Sequence, residues 1–230
     1  MPAWKFTKLP VTVQHILNKM LTVCEIFKSI QGESTYAGCV CTFVRLTGCN
    51  LDCSYCDTRY AFIEGTPMSV DTIMDSVDAH GVNLVELTGG EPLIQAASVK
   101  LCEALLQKGY TVLVETNGSL PIRLLPSGCV RIVDVKCPGS GCGDSFLLDN
   151  IDHLNTSDEV KFVISDNADF NWACNFINKY QLHTKTTILF SPCIGRIKPA
   201  ELASWIVESN LPVRLGLQLH KFIWGDKRGV

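Results

Sequence analysis

The sequence predicts an α/β chain: parallel strands with helices outside, curled into a partial, open barrel of about six β/α units. A doubly wound sheet is the alternative. Two observations carry this. Short continuous runs of apolar, β-branched residues alternate with stretches of helical periodicity, the pattern of a parallel sheet covered by helices. Polar residues also recur at the carboxyl end of run after run, where ligands sit in either architecture. A closed eight-unit barrel takes around 250 residues. This chain has 230, and a cysteine-bearing loop and an irregular stretch at 137–150 use part of them.

Taken in order, a strand-like run LTVCEIF starts at Leu21, and SIQGEST reads as a loop around Gly32. CTFVRLTG (41–48) is a buried strand, and the cysteine loop follows it. Residues 69–80 have helical periodicity, with Gly81 as the stop. NLVELTGG (83–90) is a strand, 97–108 a helix ended by Gly109, and TVLVETNG (111–118), VRIVDVK (130–136) and EVKFVIS (159–165) are strands. Residues 170–180 form a helix, TTILFSP (186–192) a strand, 199–209 a helix, and VRLGLQL (213–219) the last strand. Residues 1–20 read as an N-terminal extension of unknown role, with an amphipathic stretch at 13–20, and 21–230 as one domain. The strand ends then supply Cys49, Thr88 to Glu91, Glu115 to Asn117, Asp134 with Lys136, Ser165 and Ser191. Core packing does not require polar residues there, so the pattern favours an enzyme.

With 47% hydrophobic residues the chain can bury a core. Its net charge of −3 and lack of a basic stripe argue against nucleic acid as a partner. No apolar run reaches the roughly 18 residues of a membrane span. The first twenty residues lack the apolar core and cleavage site of a signal peptide, so a cytoplasmic protein is expected. Twelve cysteines in such a chain suggest metal binding or catalysis wherever they cluster tightly. Cys24, Cys102, Cys129 and Cys174 lie in apolar periodic segments and are expected to be buried packing residues.

The tight cluster is Cys49, Cys53 and Cys56, spaced C-x3-C-x2-C. Soft thiolates suit iron–sulfur clusters or zinc. Four thiolates make the usual all-cysteine cluster, so three leave one iron open to a small molecule. The competing reading is a zinc site completed by Cys39, Cys41 or a histidine. Structural zinc sites favour two spaced pairs, however, and here there is a single triplet.

With Tyr55 before the last of these cysteines and LTGGEP (87–92) ending the next strand, the chain resembles the radical S-adenosylmethionine superfamily. The resemblance implies a [4Fe–4S] cluster on Cys49, Cys53 and Cys56 and S-adenosylmethionine at its open iron. The reduced cluster cleaves the cosubstrate, and a 5′-deoxyadenosyl radical abstracts hydrogen from the substrate. Glycines let backbone approach the cosubstrate ammonium, and Glu91 could add a charge-assisted hydrogen bond.

A finer likeness runs from Leu21 to the last residue: IFKSIQGEST, FVRLTGCNLDCSYCDT, LTGGEPL, VETNG, DVKCPGSG, LFSP and LQLHKFIWGDKRGV. These segments resemble the 7-carboxy-7-deazaguanine synthases, a family within the superfamily. The likeness implies rearrangement of 6-carboxy-5,6,7,8-tetrahydropterin with loss of ammonia, on the route to queuosine and other deazapurines, with Mg²⁺ required. By matching position, Ile30, Gln31, Gly32, Glu33, Arg45, Thr88 and the carboxylate of Val230 would meet the substrate, and Thr58 would ligate Mg²⁺. Tyr55, Gly90, Glu91, Asn117, Lys136 and the stretch Ser191, Pro192, Cys193, Ile194 would meet the cosubstrate. No catalytic side chain is assigned beyond the cofactor ligands. An amide and a carboxylate at Gln31 and Glu33 suit the donors and acceptors of a pterin edge, and a guanidinium suits its carboxylate. A reducing partner such as a flavodoxin or ferredoxin and a homodimer are the implied partners. The apolar LQLHKFIW run reads as a core-like segment that ties the tail down, and Lys227 and Arg228 either hold the tail or are solvated. A glycyl-radical-activating enzyme shares the cluster logic, but the Gln-Gly-Glu loop and the LQLHKFIW ending argue against it. A non-catalytic Fe–S or zinc protein would need none of the strand-end residues.

Overall fold

The structure, a computed structural model, describes residues 20–230. The amphipathic stretch at 13–20 lies outside these residues except for Met20, which opens the first strand. One nine-stranded sheet organises the chain: β1 (Met20–Ile30), β2 (Val40–Leu46), β3 (Thr66–Ser69), β4 (Leu84–Gly89), β5 (Thr111–Thr116), β6 (Val130–Asp134), β7 (Glu159–Ile164), β8 (Thr187–Pro192) and β9 (Arg214–Leu215). Its order is β3-β1-β2-β4-β5-β6-β7-β8-β9. From β2 to β9 every neighbouring pair is parallel. β1 is antiparallel to both β2 and β3. The loop from Gln31 to Cys39 is too short for a crossover, so β1 and β2 form a hairpin. Six full-length parallel strands, β2 and β4 to β8, make an open barrel whose ends are not joined.

Among the described residues there are five α-helices: α1 (Val70–His80), α2 (Ala97–Gln107), α3 (Asn167–Tyr180) and α4 (Pro199–Ser209) pack on the outside, and α5 (Leu219–Trp224) brings His220 and Lys221 to the cavity at the strand ends. Ser69 caps α1 by accepting from Thr72 N, and Gly81, at φ +65°, ends it. Pro199 stands in the first turn of α4, where a missing N–H costs nothing. α3 begins one turn earlier than its apolar periodicity predicts. Asp166 caps it through Asp169 N, and the first turn is polar. No α-helix joins β5 to β6 or β6 to β7, where short 3₁₀ turns serve.

Side chains on a strand alternate between faces with period two. Val44 and Leu46, Val85 and Leu87, and Val112 and Val114 point to the helices, in the large core that includes Leu101, Leu105, Ile177 and Leu202. Phe43, Leu84, Leu113 and Ile132 point the other way and pack with Cys41 into a smaller apolar cluster. Phe27 stacks on Phe43 at 5.0 Å between ring centroids. This plug closes the amino end of the inner face, and the polar residues stand above it.

The chain departs from the sequence-based reading in three places. The last strand is only Arg214–Leu215, not 213–219, and LHKFIW is helix α5. That segment is not core-like: Phe222 is 65% and Ile223 54% exposed. β9 is the sheet's last strand, with β8 as its one neighbour, so the aromatic residues after it have no second layer to bury against. Cys102 and Cys129 are buried as expected, but Cys24 and Cys174 are only partly so.

Candidate active site

A cavity of about 540 Å³ opens at the carboxyl ends of the strands, within the size range of small-molecule sites. Cys49, Cys53 and Cys56 line it, together with Tyr55, Thr58, Gly90, Asn117, Lys136, Cys193 and Ile194. Ile30, Gln31, Gly32, Glu33, Arg45, Thr88 and Val230 line the same space. Glu91, Ser191 and Pro192 do not.

The thiols sit on the loop after β2, held from several sides. Gly48 N donates to Ala61 O (2.8 Å), Ser54 N to Ser140 O (2.8 Å), and Glu91 N to Gly48 O (2.8 Å). A Cβ on Gly90 would stand 2.1 Å from Gly48 O and 2.8 Å from Cys49 Cβ, so only glycine lets the two loops meet. Burial pushes the Cys49 thiol up and the Cys53 thiol up to about 12. These are thiols that a bound metal would have to deprotonate. Cys142, which the sequence did not single out, stands close enough to Cys53 to help raise its pKa. Neither Cys39 nor Cys41 lines the cavity, so the zinc alternative loses both of its proposed cysteine ligands. Among the described residues no three Cys, His, Asp or Glu side chains close on one point as a single-ion site requires. Three cysteines on one cavity wall beside a glycine-lined opening do fit a cluster with one open iron.

Glu91 is fully buried and turned away from the cavity. Its carboxylate accepts from Leu93 N (2.9 Å), Thr116 Oγ1 (2.9 Å) and Asn117 N (2.6 Å). It joins the ends of β4 and β5 instead of facing a ligand. Asn117, which it positions, reaches Asn50 Oδ1 at 3.1 Å and Cys49 Sγ at 3.9 Å. Ser165 is likewise structural, bonded through its N and Oγ to Asp169.

Below the thiols lies a charged layer. Lys161, only 5% exposed, donates to Glu33 Oε2 (2.7 Å) and to Glu115, and lies 3.5 Å from Asp134 Oδ2. Lys136 bonds Asp134 at 2.8 Å. Burial works against the Lys161 charge, but Glu115, Glu33 and Asp134 hold its pKa well above the ordinary range. Burial also opposes ionisation of Asp134, yet Lys136 and Lys161 hold its carboxyl below the usual range. Glu33 is held low by Lys161 against its own burial and takes a further bond from Gln218 (2.7 Å). Lys161 was not identified from the sequence. The readable signal was a lysine at an inner-face position of a buried parallel strand, which must find partners.

Gln31 does not offer its amide freely. Its Oε1 accepts from Glu33 N (2.9 Å) and its Nε2 donates to Glu86. Arg45 has the partner its burial demands: Glu25 Oε1 at 2.8 Å, an atom also reached by Tyr60 Oη (2.8 Å). Thr58 Oγ1 donates to Asp57 Oδ1 (2.9 Å), and Lys221 reaches Asp57 at 3.3 Å. Gly32 receives the C-terminal segment: Leu219 N donates to its carbonyl (2.8 Å), and a Cβ would stand 2.2 Å from His220 Nδ1. Arg228 is exposed but tied down. Its guanidinium lies 3.4 Å from the Tyr60 ring centroid and pairs with Glu64 at 2.9 Å, which brings Val230 to the cavity wall.

Residues 43–133 match the Radical SAM superfamily. The chain is 47% identical over 220 residues to the 7-carboxy-7-deazaguanine synthase of Koribacter versatilis, covering 89% of this chain and 97% of that one. It is 44% identical over 218 residues to the enzyme of that name from Chlorobaculum tepidum, covering 91% and 97%. The fold is similar to that of QueE from Escherichia coli, at a TM-score of 0.73 and 21% identity, over 87% of this chain and 95% of that one.

Proposed function

Because the chain belongs to the 7-carboxy-7-deazaguanine synthase family of radical S-adenosylmethionine enzymes, we propose that its cavity rearranges 6-carboxy-5,6,7,8-tetrahydropterin to 7-carboxy-7-deazaguanine with loss of ammonia. The product would serve the formation of queuosine or another deazapurine. The observation that carries this is the shared cavity: the three cysteines and the residues matched to the pterin line one space. Cys49, Cys53 and Cys56 would hold the [4Fe–4S] cluster, and the wall from Tyr55 through Gly90, Asn117, Lys136, Cys193 and Ile194 would hold S-adenosylmethionine. Bound there, cluster and cosubstrate supply the one-electron cleavage that yields the hydrogen-abstracting radical.

The chain's own residues bind, orient and shield. Ile30, Gly32, Glu33, Arg45, Thr88 and Val230 would surround the pterin. Gln31 would act mainly by fixing the loop, and Glu91, Ser191 and Pro192 by supporting the wall from behind. Arg45, held by Glu25, offers its remaining N–H groups to a carboxylate. Thr58 would reach Mg²⁺ through its hydroxyl, with substrate oxygens and water completing the shell. The reading extends to a single domain at 21–230, a cytoplasmic setting, a flavodoxin or ferredoxin as reductant, and a homodimer. Exposed Phe222 and Ile223 beside β9 support a covered face there. The test is anaerobic turnover with the carboxytetrahydropterin, S-adenosylmethionine, Mg²⁺ and a reductant. Formation of the deazaguanine, read by absorbance and mass, is expected. Cosubstrate cleavage without that product would refute the substrate assignment.

A further inference from the structure

Four carboxylates reach the floor of the cavity: Glu33, Glu86, Glu115 and Asp134. Three of them touch Lys161, and Asp134 also has Lys136. Glu86 has neither lysine. Its side-chain partner is the Gln31 amide, on Oε2. The amide's orientation is fixed, because Gln31 Oε1 already accepts from Glu33 N, so Nε2 must face Glu86. Glu86 is 2% exposed and sits on the inner face of β4, beside Phe43 of β2 and Leu113 of β5. Below it is the apolar plug and above it Thr88.

The charged and titratable groups around it are Cys41 and Arg45 on β2, Glu33 on the loop, Glu115 on β5 and Lys161 on β7, with His220 beyond Glu33. Arg45 is engaged by Glu25, and Lys161 by Glu33 and Glu115. A buried carboxylate without its own cation takes up a proton instead of remaining charged. Burial, then the Glu115 and Glu33 charges, push the Glu86 carboxyl well above the usual range, in the same direction as the geometry.

We infer that Glu86 is a specificity-determining residue: a carboxylic acid kept neutral on the cavity floor, whose O–H is donated to an acceptor atom of the bound heterocycle. This rests on the pterin reading of the cavity. Such a ring presents both donors and acceptors along one edge. Glu33 and Glu115 are acceptors only, so a neutral Glu86 supplies the donor that two carboxylates cannot. A neutral floor also adds no repulsion toward a substrate that carries its own carboxylate.

The test uses the cluster-loaded protein with S-adenosylmethionine, wild type and Glu86→Gln, under anaerobic conditions. The infrared difference between the two at pH 7 should contain the C=O band of a protonated carboxyl, which disappears at alkaline pH. No such band at pH 7 overturns the proposal. Affinity for 6-carboxypterin, the oxidised analogue, is then followed from pH 6 to 9. Wild-type affinity should fall by up to about tenfold per pH unit once Glu86 ionises, and Glu86→Gln should lack that limb while binding a few-fold more weakly at pH 6. Glu86→Leu keeps the bulk but offers no donor, and should lose about tenfold even at pH 6. An alkaline limb that persists in Glu86→Gln, or a Glu86→Leu protein that binds like wild type, overturns the contact. If the band is present but wild type binds no pterin, the substrate reading fails and takes the contact with it, while the neutral acid stands.

Discussion

Replacing Lys161 by Met removes the one cation shared by three carboxylates while keeping a similar length of apolar chain. In the folded protein Lys161 Nζ is bonded to Glu33 and Glu115 and close to Asp134, and is almost wholly buried. Removing one partner of a buried ion pair costs about 3–5 kcal/mol, because the other charge is left without compensation. Asp134 keeps Lys136, and Glu33 and Glu115 are partly open to water, so the low end, about 3 kcal/mol at neutral pH, is expected. The pH dependence follows from the signs. Lys161 holds the Glu33 carboxyl below its usual range, and Lys136 and Lys161 together do so for Asp134, so these two stabilise the fold above about pH 4 and lose that contribution as pH falls through their native values. In the variant Glu33 loses this contribution, while Asp134 keeps the part that Lys136 supplies. The gap between the proteins should therefore hold from pH 7 down to about pH 4 and narrow below it. The raised pKa of Lys161 acts only above about pH 10, outside this window. Urea denaturation of both proteins without the cluster measures the gap. With m of about 1–3 kcal/mol/M, the midpoint should drop by about 1 M or more. A gap below about 1 kcal/mol at pH 7, or one that widens at low pH, would refute the shared-cation argument.

Three further outcomes follow. Cys53→Ala should abolish reductive cleavage of S-adenosylmethionine and lower bound iron after reconstitution, whereas Cys102→Ala, buried behind the sheet, should keep both. Full cleavage by Cys53→Ala would remove that thiol from the cluster. Thr58→Val should weaken the magnesium stimulation of turnover by roughly tenfold in midpoint, since a single hydrogen-bonding or ligating oxygen is worth about 1–2 kcal/mol, with cosubstrate binding intact. An unchanged magnesium titration would take Thr58 out of the site. Residues fused after Val230 begin at the cavity wall, so such a tag should depress turnover sharply at unchanged iron content, while a tag before Met1 should not. Equal turnover of the two would show that Val230 is not part of the substrate site.

The parallel sheet was legible because each strand is a short apolar run bounded by a turn, and that pattern is local. The end of the chain was not. VRLGLQL alternates in hydrophobicity like a strand, but it runs along the edge of the sheet, where β8 offers pairing for only two residues. Helix then satisfies the backbone at the cost of leaving Phe222 and Ile223 in the open. The cysteine loop was legible because its chemistry is encoded in spacing. The roles of Gln31, Glu91 and Arg228 were not, because each depends on a partner far away in sequence: Glu86, Thr116 and Tyr60. A residue type announces what it can bond, while only the fold decides whether it bonds a ligand or its own chain.

The period-two alternation also explains how one cavity keeps two ligand zones apart. Along β4 the inner-face series is Leu84, Glu86, Thr88 and then Gly90; along β5 it is Leu113, Glu115 and Asn117; along β6 it is Ile132, Asp134 and Lys136. Each series climbs from the apolar plug to a polar residue and then to one beside the cysteine loop, with about 6–7 Å between steps. The register is not level. Glu115 pairs with Ile132, whereas Asp134 pairs with Lys161, so the charged layer rises by one step between β5 and β7. This is the stagger that tilted strands impose on a curled sheet. It carries Lys161 high enough to meet Glu115, Glu33 and Asp134 together. Of the residues matched to the pterin, Ile30, Arg45 and Thr88 lie in strands, Gln31 to Glu33 on the loop after β1 and Val230 at the last residue, while those matched to the cosubstrate, Ser191 and Pro192 of β8 apart, lie on loops beyond the strand ends. A substitution in the middle step should therefore change substrate affinity and leave the cysteine loop in place, as the variants at Glu86 are designed to show.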